Sequence, residues 1–301
     1  MNSEQPFISV IIPTYGRNGQ LMDTLNAFLK QTYPSNRFEI LIVNDGSPEP
    51  LDLILKPFQN QLDLTLIIQE NAGPAVARNS GAAQAKGEIL AFTDDDCCPD
   101  SEWLAVIAAS INQFLDHAVG GRTQNMLVEN LFSTASQLLV DYLYRYYNAN
   151  HPQARFFTTN NLAVTAVQFL EVGGFHPEMP LAAGEDREFC DRWLFHGFEM
   201  HYAGQAVINH AHPLTFVSYL KQHFRYGRGA YLFHIIRSQR QKQAIRVEPI
   251  AFYLRLLLYP WQEQGGLKAI ALAFLLALSQ AANVLGFFWQ GFRIKRDKNG
   301  K

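Results

Sequence analysis

The first hundred residues predict an α/β fold with a mostly parallel sheet flanked by helices, and three observations carry that reading. Short β-type apolar runs alternate with helical patterns between residues 7 and 92, three of those runs end in polar clusters, and the composition turns apolar again after residue 245. Strand and helix in alternation imply right-handed βαβ units, because parallel neighbours are joined only by a crossover.

Phe7 to Ile12, Phe38 to Val43, Leu64 to Ile68 and Ile89 to Phe92 read as buried strands, rich in Val, Ile, Leu and Phe. Between the first two, Leu21, Leu25, Phe28 and Leu29 share one helical face. Between the last two, Pro74 opens a helix that Gly87 closes. Beyond about residue 118 the pattern is less regular, with a helix expected around Leu127 to Tyr147 and a strand from Phe157 to Val164. Glu185 to His196 reads as a helix, since Phe189 and Trp193 lie one turn apart and Gly197 supplies a stop.

Ile250 to Trp261 is apolar but contains Arg255 and is too short to span a bilayer, which suits an interfacial helix. Ala269 to Phe292 runs for 24 residues without a formal charge, enough to cross a hydrocarbon core of ~30 Å. Ser279, Gln280 and Asn283 dilute this segment, so a buried C-terminal helix pair is the competing expectation. The expected division is one α/β domain over residues 1–245 and a hydrophobic helical region over 246–301, membrane-associated if it is not core.

Of 301 residues, 48% are apolar and 17% charged, with a net charge of −2. A large core is therefore available, and neither a disordered chain nor a nucleic-acid binder is indicated. Cys97, Cys98 and Cys190 are odd in number and two are adjacent, so they form neither a disulfide framework nor a spaced zinc set. Met1 to Gln5 lacks a basic stretch followed by an apolar one, and the expected start is cytoplasmic.

Parallel sheets bind ligands beyond the carboxyl ends of their strands. Pro13, Thr14 and Tyr15 follow the first strand, Asn44 to Ser47 the second, and Thr93 to Asp96 the fourth. Three aspartates ending an apolar strand need their charge offset, and carboxylate oxygens suit magnesium or manganese that shares its shell with phosphate. A solvated acidic loop is the bland alternative for such a triplet. Glu185 and Asp186 open a helix, whose positive end would keep Asp186 ionised as a base requires; helix capping alone is the rival reading.

The ordered words SVIIPTYGR (Ser9 to Arg17), VNDGS (Val43 to Ser47) and NAGPAVARNSGAAQAKGEILAFTDDD (Asn71 to Asp96), then GGF (Gly173 to Phe175) and GED (Gly184 to Asp186), resemble family 2 of the glycosyltransferases from about residue 7 to 230. The resemblance implies a Rossmann-like GT-A fold, a nucleotide-sugar donor, a manganese or magnesium ion, and inversion at the anomeric carbon. It would place Asp45 on the base, Asp94 on the donor ribose or sugar and Asp96 on the metal, with Pro13 and Tyr15 lining the base pocket. Arg78 and Asp95 would belong to the donor site, and Asp186 would be the base with Glu185 beside it. His210 is the candidate for the remaining metal ligand, with His212 as its alternative. Gln222, Arg225 and Tyr226 form QxxRY, similar to the QxxRW of processive relatives but with Tyr for Trp. Arg225 would meet the diphosphate and Gln222 the acceptor. Asn160 and Asn161 sit at a predicted strand, where their amides need partners that an acceptor sugar hydroxyl or backbone groups would supply.

These readings converge on transfer of a hexose or hexosamine, with a UDP-sugar favoured, to a glycan or lipid-linked acceptor at the cytoplasmic face of the inner membrane. A polyprenyl-phosphate sugar transferase and a non-catalytic nucleotide-sugar binding protein are the alternatives.

Overall fold

The computed structural model describes residues 5–149, 153–179, 183–242 and 248–299. The expected division at 245/246 lies outside the described residues.

In chain order the elements begin with β1 (Ile8–Thr14), α1 (Asn18–Phe28), β2 (Phe38–Asn44), α2 (Asp52–Leu55), β3 (Leu64–Ile68), α3 (Pro74–Gln84) and β4 (Ile89–Phe92). They continue through β5 (Cys97–Pro99), α4 (Trp103–Gln113), β6 (His117–Asn125), α5 (Leu131–Tyr144), β7 (Leu162–Thr165), α6 (Ala166–Val172), α7 (Glu185–Phe195) and β8 (Glu199–His210). Four helices close the chain: α8 (Phe216–Gln241), α9 (Ile250–Leu258), α10 (Pro260–Glu263) and α11 (Gly266–Asn299).

The eight strands form one mixed sheet in the order β3-β2-β1-β4-β7-β6-β8-β5. β3, β2, β1 and β4 run parallel, β7 is antiparallel to both neighbours, and β6 and β8 are again parallel. The chain leaves β1 toward β2 and returns to β4 on its other flank, so the strand order reverses at β1. A reversal of this kind opens a crevice at the carboxyl ends of the strands. Alternate residues of each strand serve two core layers: Val10 and Ile12 pack with Leu21, Leu25, Trp103 and Ile107, while Ile11, Leu41 and Phe92 pack with Ala77, Phe175, Phe189 and Trp193.

The four expected early strands are found within two residues of their predicted ends. The later half differs more. The helix expected at Leu127 to Tyr147 starts at Leu131, where Asn130 caps it by accepting from Phe132 N and Ser133 N, and after Tyr144 it widens into a π turn, Arg145–Ala149. The strand expected from Phe157 is interrupted by a 3-10 turn, Thr159–Asn161, so that β7 begins only at Leu162. β6 has a weak apolar pattern because Gly120 and Gly121 stand where a Cβ would collide with the Phe157 ring and with Ala206 O.

A third core cluster joins α5, α8, α9 and α11 through Leu138, Tyr142, Tyr219, Phe252, Leu256, Leu272 and Leu276. Within the described residues, Gly266–Arg296 is the one helix long and apolar enough to cross a membrane, with a mean hydropathy of 1.9 over its apolar stretch of 18 residues. One face of it packs Leu272, Leu275 and Leu276 into this cluster beside the buried Ser279; Gln280 and Asn283 are partly buried, and Ile270, Phe274, Val284, Leu285, Phe288 and Phe292 are exposed.

Candidate functional site

One cavity of about 1070 Å³ gathers the strand-end residues. Pro13 and Tyr15 come from the end of β1, Asp45 from β2, Asp94, Asp95 and Asp96 from β4, and His210 and His212 from β8. Arg78 on α3, Glu185 and Asp186 at the start of α7, and Gln222 and Arg225 on α8 line the same space, as does Asn160. Asn161 does not line it.

Asp96 forms the centre of the most polar corner. Its Oδ1 lies 3.2 Å from His210 Nε2 and its Oδ2 3.1 Å from His212 Nδ1. One ligand atom from each of the three residues lies within 4.8 Å of the other two. Burial alone would raise the Asp96 carboxyl, but the two histidines and Arg17 hold it well below the ordinary carboxylate range. Gln222 Nε2 donates to Ser136 Oγ and Tyr226 Oη, leaving its carbonyl oxygen to accept from His212 Nε2 at 3.1 Å. The amide thus fixes the His212 ring, whose Nδ1 faces Asp96 Oδ2. One carboxylate and two imidazoles form an N,O donor set suited to a divalent metal. Sequence reasoning named either histidine; the fold brings both, because His210 ends β8 and His212 lies two residues beyond it.

Gln222 thus supports the histidine cluster through a fully engaged amide, whereas its expected place was against the acceptor. Asn161 departs further. It accepts from Trp103 Nε1 at 2.9 Å and donates to Arg122 O and Ala206 O, so both ends of its amide are spent tying α4, β6 and β8 together. Asn160 accepts from Thr158 Oγ1 and Thr123 Oγ1 and keeps a place in the cavity wall.

Arg78 is only 3% exposed and bridges two acids, with Nη2 on Asp94 Oδ1 at 2.7 Å and Nη1 on Glu185 Oε1 at 3.2 Å. It is therefore a buried strut between the end of β4 and the start of α7. Asp95 accepts from Thr14 Oγ1 and Arg17 Nη1, and its carbonyl accepts from Thr24 Oγ1, which turns it toward β1 and α1. Asp45 accepts from Gln69 Nε2, Ala72 N and Gly73 N, fixing the loop that leads into α3. Tyr15 is 56% exposed on the cavity wall, and Arg225 is also exposed.

Gly184 precedes α7 at φ +86°, a left-handed conformation that glycine adopts without a Cβ penalty. Asp186 Oδ1 accepts from Arg187 N at 2.7 Å. Burial raises both carboxyls of this helix start, and for Glu185 the neighbouring Asp186 charge adds to it. Sequence reasoning expected the helix end to dominate at Asp186; burial outweighs the backbone donor and the nearby arginines.

Arg17 was missed as a site residue. It ends the SVIIPTYGR word, and its Nη1 lies 3.1 Å from Asp95 Oδ1 and 2.7 Å from Asp96 Oδ2. Nothing in its local pattern separates it from a solvated arginine at a helix start.

The family model for glycosyl transferase family 2 matches residues 9–170. In sequence the chain is similar to glycosyltransferase AglE of Haloferax volcanii, 32% identical over 232 residues, or 76% of this chain and 74% of that protein. In fold it is similar to mannosyltransferase PcManGT from Pyrobaculum calidifontis, solved in complex with GDP-Man and Mn2+, with a TM-score of 0.65 at 19% identity over 95% of this chain and 88% of that one. TarS of Staphylococcus aureus, solved as residues 1-349 with UDP-GlcNAc, gives a TM-score of 0.54 at 16% identity over 93% of this chain and 89% of that one. The sequence match to full-length TarS, a poly(ribitol-phosphate) beta-N-acetylglucosaminyltransferase, is 35% identical over 107 residues but covers only 19% of its length.

Proposed function

The chain belongs to glycosyl transferase family 2, and from that premise we propose an inverting transferase that moves a hexosyl or hexosaminyl group from a nucleoside diphosphate sugar to a glycan or lipid-linked acceptor. The observation that carries this reading is the convergence of Asp45, Asp94 to Asp96 and Glu185–Asp186, from three separate elements, on one cavity. A UDP-sugar is the favoured donor, and GDP-sugars are the alternative that the PcManGT likeness raises.

Asp96, His210 and His212 would hold a manganese or magnesium ion, which supplies charge neutralisation for the departing diphosphate. Pro13, Tyr15 and the Asp45 loop form the wall assigned to the base. Asp94, braced by Arg78, faces the donor, and Arg225 offers a guanidinium to phosphate. Asp186 takes the proton of the acceptor hydroxyl, and Glu185, held by Arg78, maintains the start of α7 that presents it.

The exposed apolar face of α11 supports attachment to a membrane; we take this to be the cytoplasmic face of the inner membrane, with a role in cell-surface polysaccharide or glycolipid synthesis. The cavity also runs on to Phe252, Tyr253, Phe287 and Phe288 of α9 and α11, which favours a second reading in which the acceptor is a polyprenyl phosphate. That nucleophile is already ionised and needs no base.

A panel of UDP- and GDP-sugars with Mn2+, assayed for nucleoside diphosphate release onto hydroxyl and lipid-phosphate acceptors, tests both readings. Asp186→Asn is expected to keep donor binding and to lower transfer to a hydroxyl by about 10²- to 10⁴-fold. Full activity of Asp186→Asn on a hydroxyl acceptor sinks the base assignment, and donor binding without any turnover points to a binding protein.

A further inference from the structure

Arg17 stands where a metal-dependent donor site has no obvious need of a cation. Its guanidinium reaches the acidic cluster from the start of α1 and donates through one nitrogen to Asp95 Oδ1 and Asp96 Oδ2. Both acid side chains are only 4% exposed, whereas the Arg17 side chain is 41% exposed. The acids are buried, and the arginine that pairs with them reaches solvent.

The oxygen it holds matters. Asp96 Oδ2 also faces His212 Nδ1, and Asp96, His210 and His212 form a set whose donor atoms lie close enough together to hold a divalent ion. A hydrogen bond from Arg17 and a metal therefore draw on the same carboxylate. Of the other arginines and lysines lining this cavity, Arg78 is locked between Asp94 and Glu185, Arg187 pairs with Glu248, and Lys221 and Arg225 lie on α8. Among the described residues Arg17 is the one guanidinium bonded to Asp96.

We propose that Arg17 is a counter-ion that changes partner. Without a donor it neutralises Asp95 and Asp96 and competes with the metal; when a nucleoside diphosphate enters, the guanidinium moves to the phosphate oxygens, which it can meet bidentately, and frees Asp96. Metal and donor then bind cooperatively, and the coupling is reciprocal because it is a property of the binding free energies. A consequence is that the acids need not stand uncompensated between turnovers, and that the metal is held firmly only when a diphosphate is present. This inference rests on the metal site proposed above.

Mn2+ binding to the full chain, followed by the electron paramagnetic resonance signal of the free ion, tests it with and without UDP and GDP. In the unaltered chain either nucleotide is expected to tighten Mn2+ binding. Arg17→Met is expected to bind Mn2+ alone about tenfold more tightly, a change of about 1.4 kcal/mol, and to shrink the nucleotide-induced gain by at least that factor. Its affinity for the nucleotides in EDTA should fall as well. Arg17→Lys, which keeps the charge but not the fork, should lie between the two, and the thermal midpoints of both variants serve as the folding control. Unchanged Mn2+ affinity and unchanged coupling in Arg17→Met overturn this inference alone, as does weaker Mn2+ binding by that variant in the absence of nucleotide. An unaltered chain that binds no Mn2+ with either nucleotide overturns the metal site and this inference together.

Discussion

Asp186 has a carboxyl that burial lifts above the ordinary range, and its neighbour Glu185 is lifted too. A base must be ionised to accept a proton, so activity is expected to be lost as pH falls through this raised range, at a higher pH than an exposed aspartate would set. A kcat/KM profile against pH checks it, and an acid limb at or below the usual aspartate pKa removes Asp186 from the role. Asn161 poses the opposite case. Asn161→Ala would orphan the Trp103 indole N–H and the carbonyls of Arg122 and Ala206, and should cost about 1–3 kcal/mol in denaturant unfolding. The acceptor KM should stay unchanged; a selective rise in KM with stability intact would restore Asn161 to acceptor binding. The difference between these two polar residues is one of partners, which residue type alone does not reveal.

At the scale of elements, α7 is held against α8 by a buried ion network. Glu188 accepts from Arg192 within the helix and from Arg240 of α8, while Asp191 pairs with Arg237 and Arg240. Breaking one partner of a buried pair leaves the others uncompensated, and Glu188→Gln should cost about 3 kcal/mol. Burial would raise Glu188, but the two arginines hold it below its ordinary value of 4.5. Its contribution is therefore present above that value and lost as pH falls through the depressed folded pKa, so the gap between the two proteins should close in acid. Urea unfolding at neutral and acid pH measures both. A gap that widens in acid contradicts the pairing. The close approach of α8 and α11 is set by glycine: a Cβ at Gly227 would strike Asn283 O, and one at Gly286 would strike Phe224 O. Gly286→Val is expected to part these helices and to lower the thermal midpoint, because neither contact is with a flexible side-chain end.

The whole molecule joins a mixed sheet, which builds the crevice at its strand ends, to a helical assembly of α5, α8, α9 and α11 that completes the cavity wall. That assembly also exposes apolar side chains: Ile250, Leu254 and Leu258 on α9, and Phe274 and Phe292 on α11. Vesicle flotation of the full chain is expected to show binding. The double change Phe274→Glu with Phe292→Glu should abolish it while leaving the thermal midpoint within a few degrees, since both rings are exposed and line neither the core nor the cavity. Loss of flotation only together with unfolding would place those rings in packing instead.

Local sequence determined the first four strands, the helices between them and the chemistry of the strand ends, because buried parallel strands leave continuous apolar runs and their carboxyl ends share one edge of the sheet. It also exposed the charge-free stretch of α11, which length and composition alone define. Only the tertiary structure decided which polar groups meet: both histidines on Asp96, Arg17 on that same carboxylate, Arg78 between Asp94 and Glu185, and Asn161 inside the core. Each of these contacts joins residues far apart along the chain, and an isolated histidine, arginine or asparagine carries no periodic signal of its partner. The same reason hid β6, whose glycines answer to Phe157 and Ala206, neighbours that only the folded sheet brings against it.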